Sequence, residues 1–127
     1  MNSAPNQEVV NDTAKLIMHR LIARRLAHDA SLIDQAKASL ERMAVRFPDR
    51  AFVREWENLL ALPADQLRDL LASRQVEMKR LRLSSPFVVA ERIDFTNPDL
   101  RRRIRRAAKR IVERGIPGRR DLATTAA

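Results

Sequence analysis

Eight cations, Arg101, Arg102, Arg103, Arg105, Arg106, Lys109, Arg110 and Arg114, crowd one stretch of the chain and are opposed there by just Asp99 and Glu113. Each guanidinium presents a planar fork of donors that meets phosphate or carboxylate oxygens two at a time, so this density suits a polyanion. The excess is local. Residues 98–127 hold 10 basic and 3 acidic side chains, net +7, whereas residues 1–97 hold 15 and 13, net +2. Arginine is the favoured cation throughout, at 21 of 25 basic residues. That preference does not explain the imbalance, because the other 97 residues keep their charges nearly matched.

Other chemistries are largely excluded. The 127 residues contain no cysteine, which removes disulfides, thiolate nucleophiles and cysteine-based zinc sites. Gly115 and Gly118 are the sole glycines, so no phosphate-cradling loop, dinucleotide turn or GxSxG elbow can form in the first 114 residues. The two histidines, His19 and His28, are nine residues apart and fall on opposite sides of a helix. They cannot face one metal, and both are expected at the surface or its boundary. Glu55 and Glu57 flank Trp56, and Asp65 and Asp69 flank Arg68, as in solvated ion pairs of small energetic weight. No catalytic residue, metal ligand or cofactor is assigned, and the chain is not expected to be an enzyme.

The elements that must carry the cations follow from apolar spacing and proline punctuation. A helix over about 12–28 turns Ala14, Ile17, Met18, Leu21, Ile22 and Leu26 inward. A second begins at Asp29 or Ser31, where Ser31 and Asp34 make an S-x-x-D start, and carries Leu32, Ala36, Leu40, Met43, Ala44 and Phe47. A third follows Asp49 and buries Phe52, Val53, Trp56, Leu59 and Leu60. The fourth opens at Pro63 and continues through Leu67, Leu70, Leu71, Met78 and Leu81, until Ser84-Ser85-Pro86 stops it. Phe87-Val88-Val89 is β-prone, and Ile93 and Phe95 alternate with polar residues. This segment is expected as an extended apolar strap across the bundle, the alternative being pairing with a copy of itself in a homodimer. Thr96-Asn97-Pro98-Asp99 starts the basic helix over 98–114. The fold class is therefore all-α, a small bundle of about five helices with one short strap. A flexible arm (1–11), a single domain (12–116) and a loose tail (117–127) complete it. A helix-turn-helix reading of the third and fourth helices is weak, since Asp65 and Asp69 would face the phosphates.

In isolation the basic helix is poorly designed. Arg101/Arg105, Arg102/Arg106, Arg105/Lys109, Arg106/Arg110 and Arg110/Arg114 are like-charge pairs at i,i+4, together unfavourable by about 1 to 2.5 kcal/mol. Arg101 to Arg103 also crowd the positive end of the helix dipole. A bound polyanion removes both penalties. The first expectation is a regulatory or accessory protein that presents this helix to nucleic acid, DNA before RNA, mainly through phosphate contacts. The second is a protein-binding module, antitoxin-like or adaptor, whose basic helix clamps an acidic partner. It would use Leu100, Ile104, Ala108 and Ile111 as anchors, with Arg82 and Phe87 on an exposed loop. No apolar run reaches the ~18 residues of a spanning helix, the N-terminal residues resemble no targeting segment, and a cytoplasmic location is expected.

Overall fold

Three of the helices, α1, α2 and α6, begin where a side chain accepts from backbone N–H groups that have no partner within the helix. The computed structural model describes residues 6–89 and 95–115. Asn6 Oδ1 accepts from the backbone N–H groups of Glu8 (2.8 Å) and Val9 (3.3 Å), and α1 runs from there over Gln7–Leu26. The expected flexible arm is therefore helical over residues 7–11, because Asn6 caps it and Val10 is drawn into the core. Asp29 Oδ1 accepts from the N–H and hydroxyl of Ser31, and α2 follows over Ser31–Arg46. α3 spans Ala51–Leu60, with Val53, Trp56 and Leu60 buried.

The next helix breaks in two. α4 covers Ala64–Leu71 and α5 covers Val76–Leu81, where the sequence predicts one continuous helix. Ala72 leaves the helical region at φ −92° and ψ 0°, and the Ser73 hydroxyl accepts from the Gln75 N–H at 3.0 Å. Arg82 Nη1 then donates to the carbonyls of Leu71 (3.0 Å) and Ser73 (2.7 Å). Carbonyls that another helical turn would have satisfied are satisfied by a guanidinium instead. The apolar rhythm hides this break, because Leu71 and Met78 remain seven residues apart.

Two 3-10 turns follow, Arg82–Ser84 and Pro86–Val89. The β-prone Phe87-Val88-Val89 is thus a tight helical turn, not an extended strap. Pro86 opens it, and the Ser85 hydroxyl accepts from the Phe87 N–H at 3.2 Å. The homodimer alternative loses its strand over these residues, and 90–94 lie outside the described ones. α6 covers Pro98–Gly115, capped as expected by Asn97, whose Oδ1 accepts from the N–H groups of Asp99 (2.9 Å) and Leu100 (3.2 Å). The described residues are all-α, with six α-helices.

α1 is the central element. It packs against α6, α4, α2 and both 3-10 turns, while α2 also packs against α3 and the second turn. Its buried residues accordingly surround much of the helix: Val10, Ala14, Leu16, His19, Ile22, Ala23 and Leu26. A helix covered on several sides shows no single apolar stripe. For that reason the expected inward set included Ile17, Met18 and Leu21, which are half-buried, and omitted Leu16, His19 and Ala23. Trp56 lies at the bottom of the core, fully buried. Its ring meets Phe87 edge-on at 6.1 Å, and its Nε1 donates to the Leu81 carbonyl at 3.1 Å.

Candidate nucleic-acid interface

In α6 the apolar residues Leu100, Ile104, Ala108 and Val112 recur every four positions and form a stripe along the face that meets α1. Ile104, Ala108 and Val112 are buried and Leu100 is half-buried. With one face of α6 occupied, the cations are left outside. Arg101, Arg102, Arg103, Arg105, Arg106, Lys109, Arg110 and Arg114 are all exposed. At 100° per residue, Arg102, Arg106 and Arg110 form the ridge opposite α1, Arg101, Arg105 and Lys109 lie on one flank, and Arg103 and Arg114 lie on the other. Arg102 pairs with Asp99, and Arg105 donates to Asn11 Oδ1 at 3.1 Å.

The Arg105 flank meets the N-terminal half of α1 across a groove of about 390 Å³. Lys15, Arg101, Arg102 and Arg105 line it, with no carboxylate among its lining residues, over a floor of Ala14, Met18, Leu83 and Ile104. Lys15 and Asn11 are functional candidates that the sequence does not reveal. Asn11 meets Arg105 across 94 residues of chain, and Lys15 shares the groove with Arg101, Arg102 and Arg105, separations that local periodicity does not encode.

The residues of the protein-binding alternative are placed differently. Arg82 and Phe87 are in the interior, at 3% and 0% exposure, so the expected exposed gripping loop is instead part of the core. The physical reason is the break after α4, which Arg82 closes, and the pocket beside Trp56, which Phe87 fills. Among the proposed helix anchors, Ile104 and Ala108 are covered by the bundle, whereas Ile111 is 41% exposed.

The histidines also separate. His28 is exposed, but His19 is fully buried, which corrects the expected surface or boundary position. Its Nδ1 lies 2.7 Å from the Lys15 carbonyl and its Nε2 lies 2.7 Å from Ser85 Oγ. A carbonyl can only accept, so Nδ1 carries the proton and Nε2 accepts from the serine hydroxyl. Burial pushes the imidazole down to about 4, helped by the charges of Arg82 and Lys15 and opposed by the Lys15 carbonyl, so it is neutral near pH 7. A serine donating to a neutral imidazole has the connectivity of an activated nucleophile, but Ser85 is 8% exposed and its oxygen already accepts from the Phe87 N–H. What the pair does is fasten α1 to the turn before Pro86.

No group of three or more histidines or carboxylates that could hold a metal ion occurs among the described residues, and no helix there is long and apolar enough to cross a membrane. The chain matches no protein-family description, no curated protein and no solved structure.

Proposed function

We propose that this protein binds nucleic acid, double-stranded DNA before RNA, by laying α6 and the groove beside it along the phosphate backbone. The observation that carries this is the burial of Ile104, Ala108 and Val112 against α1, which fixes α6 as part of the folded body and leaves its eight cations outward. From Arg101 to Arg114 the helix measures about 20 Å. A duplex presents roughly a dozen phosphates over that length. Net +6 on such an element, with Lys15 added at its flank, suits electrostatic docking.

The recognition is mainly independent of sequence. Between Pro98 and Gly115 there is no asparagine or glutamine to pair with adenine. Stacking platforms for single strands are also lacking on α6, which contains no aromatic residue. Such a regulatory or accessory role belongs in the cytoplasm, with the nucleic acid. The protein-partner alternative is disfavoured because its anchors Ile104 and Ala108 are already used by α1.

Fluorescence anisotropy with a 20-base-pair duplex across a salt series tests the proposal. Contact with about 5 phosphates gives a log–log salt slope of roughly −4 to −5. Replacing Arg102, Arg105, Arg106 and Lys109 by Gln should reduce that slope by about 3 to 4 and weaken binding at low salt by more than about 100-fold. Unchanged affinity and slope in the variant would overturn it.

A further inference from the structure

A second cluster of cations, separate from the exposed ridge of α6, surrounds a cleft of about 190 Å³ between α1, the α4–α5 break and the C-terminal part of α6. Arg20, Arg74, Lys79 and Arg82 line it with a single carboxylate, Asp12, and that carboxylate is held by Lys79 at 3.3 Å. Leu16, Ile17 and Ile111 supply an apolar wall.

Arg82 is the unusual member. The side chain is 3% exposed, yet no carboxylate lies within ion-pairing distance among the described residues. Its Nη1 is taken by the Leu71 and Ser73 carbonyls, while its Nε is buried with no hydrogen-bond partner. Buried charges are ordinarily paired, and an unpaired guanidinium N–H in the interior is unfavourable. Burial, and then the charge of Arg20, hold this guanidinium below its usual range, with Asp12 opposing them in part. Three arginines thus face one cleft, and the nearby acid is already engaged by a lysine.

We propose that this cleft is a binding site for a small organic anion, an oxyanion head carried on a short apolar body. The head lies among Arg20, Arg74 and Arg82, and the body lies against Leu16, Ile17 and Ile111. The volume is below the ~300 Å³ at which drug-sized ligands begin, so the ligand is small. Occupancy supplies the missing counter-charge to Arg82 and ties α1 to the break between α4 and α5. The site does not depend on nucleic-acid binding by α6.

The experiment is thermal unfolding with phenyl phosphate, benzoate or inorganic phosphate, each against chloride at matched ionic strength. Phenyl phosphate or benzoate at about ten times its dissociation constant is expected to raise Tm by roughly 5 °C, and inorganic phosphate by less, since it lacks the apolar body. Whichever organic probe is stronger identifies the head group. Arg20→Gln and Arg74→Gln should each raise the dissociation constant about tenfold. The variant with Arg102, Arg105, Arg106 and Lys109 changed to Gln should keep the full response, which separates this site from the α6 surface. Should an arginine variant fail to fold, the Arg82 Nε–H resonance of the unmodified protein is followed instead, and it must move on addition of phenyl phosphate. The proposal is overturned by an unmoved resonance, by equal shifts from all three anions and chloride, or by a response lost in the α6 variant.

Discussion

Arginine occupies two contrasting settings in this protein. Arg82 is inside, spending its donors on the carbonyls of Leu71 and Ser73 where α4 ends. Arg68 does something similar at the boundary, donating to the Ala23 carbonyl at 3.0 Å and so joining α4 to α1. On α6 the arginines are outside, and Arg103, Arg106 and Arg110 project from a helix whose own carbonyls are already bonded within it. The same side chain is a structural clamp in one region and a solvent-facing charge in the other. What separates them is whether the backbone nearby has carbonyls left over: the end of a helix does and its middle does not. Counting arginines therefore says little about ligand binding until the helix ends have been assigned.

The largest expected effect tests whether the interior region is held by polar contacts. His19 is buried with its pKa lowered to about 4 in the folded state, against an ordinary 6.5 when unfolded. Between those values the unfolded chain binds the extra proton, so stability is full above about pH 6.5 and falls as the pH drops toward 4. The complete loss is about 3 kcal/mol. Urea midpoints at pH 7, 6 and 5 should trace the decline, and His19→Gln should flatten it. A flat profile in the unmodified protein would mean that His19 does not belong to a closed interior.

Next in size, Arg82→Met should destabilise the fold by about 2 kcal/mol. Two carbonyls at the end of α4 lose their donor, and relief of the buried charge offsets only part of that. Arg106→Gln, by contrast, should stay within about 0.5 kcal/mol. Equal effects at the two positions would erase the distinction between clamp and surface.

The smallest effect has the opposite sign. Changing Arg102, Arg105, Arg106 and Lys109 to Gln removes four of the five like-charge i,i+4 pairs of α6, and should stabilise the free protein by about 1 kcal/mol at low salt. The gain should vanish near 0.5 M salt, where such pairs are screened. A loss of stability would instead show that the outer arginines support the bundle.

Much of this was legible in the sequence, for identifiable reasons. The α6 boundaries follow from Asn97 and Pro98, whose capping chemistry is local, and its outward cations follow from a single clean stripe. α1 resisted because it is covered on several sides, so apolar residues and His19 are distributed around it. The break between α4 and α5 was hidden because Leu71 and Met78 keep helical register across it. Arg82, which closes it, lies eleven residues beyond one of the carbonyls it holds. Phe87-Val88-Val89 misled through intrinsic β preference, which the proline at 86 and the pocket beside Trp56 override. Lys15 and Asn11 joined the candidate site through tertiary packing alone.

Trp56 is the sole tryptophan of the chain, sealed beneath Phe87 with its indole N–H bonded to the Leu81 carbonyl. Excited near 295 nm, the molecule therefore carries one intrinsic fluorophore, and that fluorophore reads the packing around α3 and α5 instead of the cationic surface of α6. A red shift of its emission registers unfolding of the core. Because no indole stands on α6, duplex docking there should leave the emission maximum in place. One cuvette can then tell a variant that has lost its ligand from one that has lost its fold.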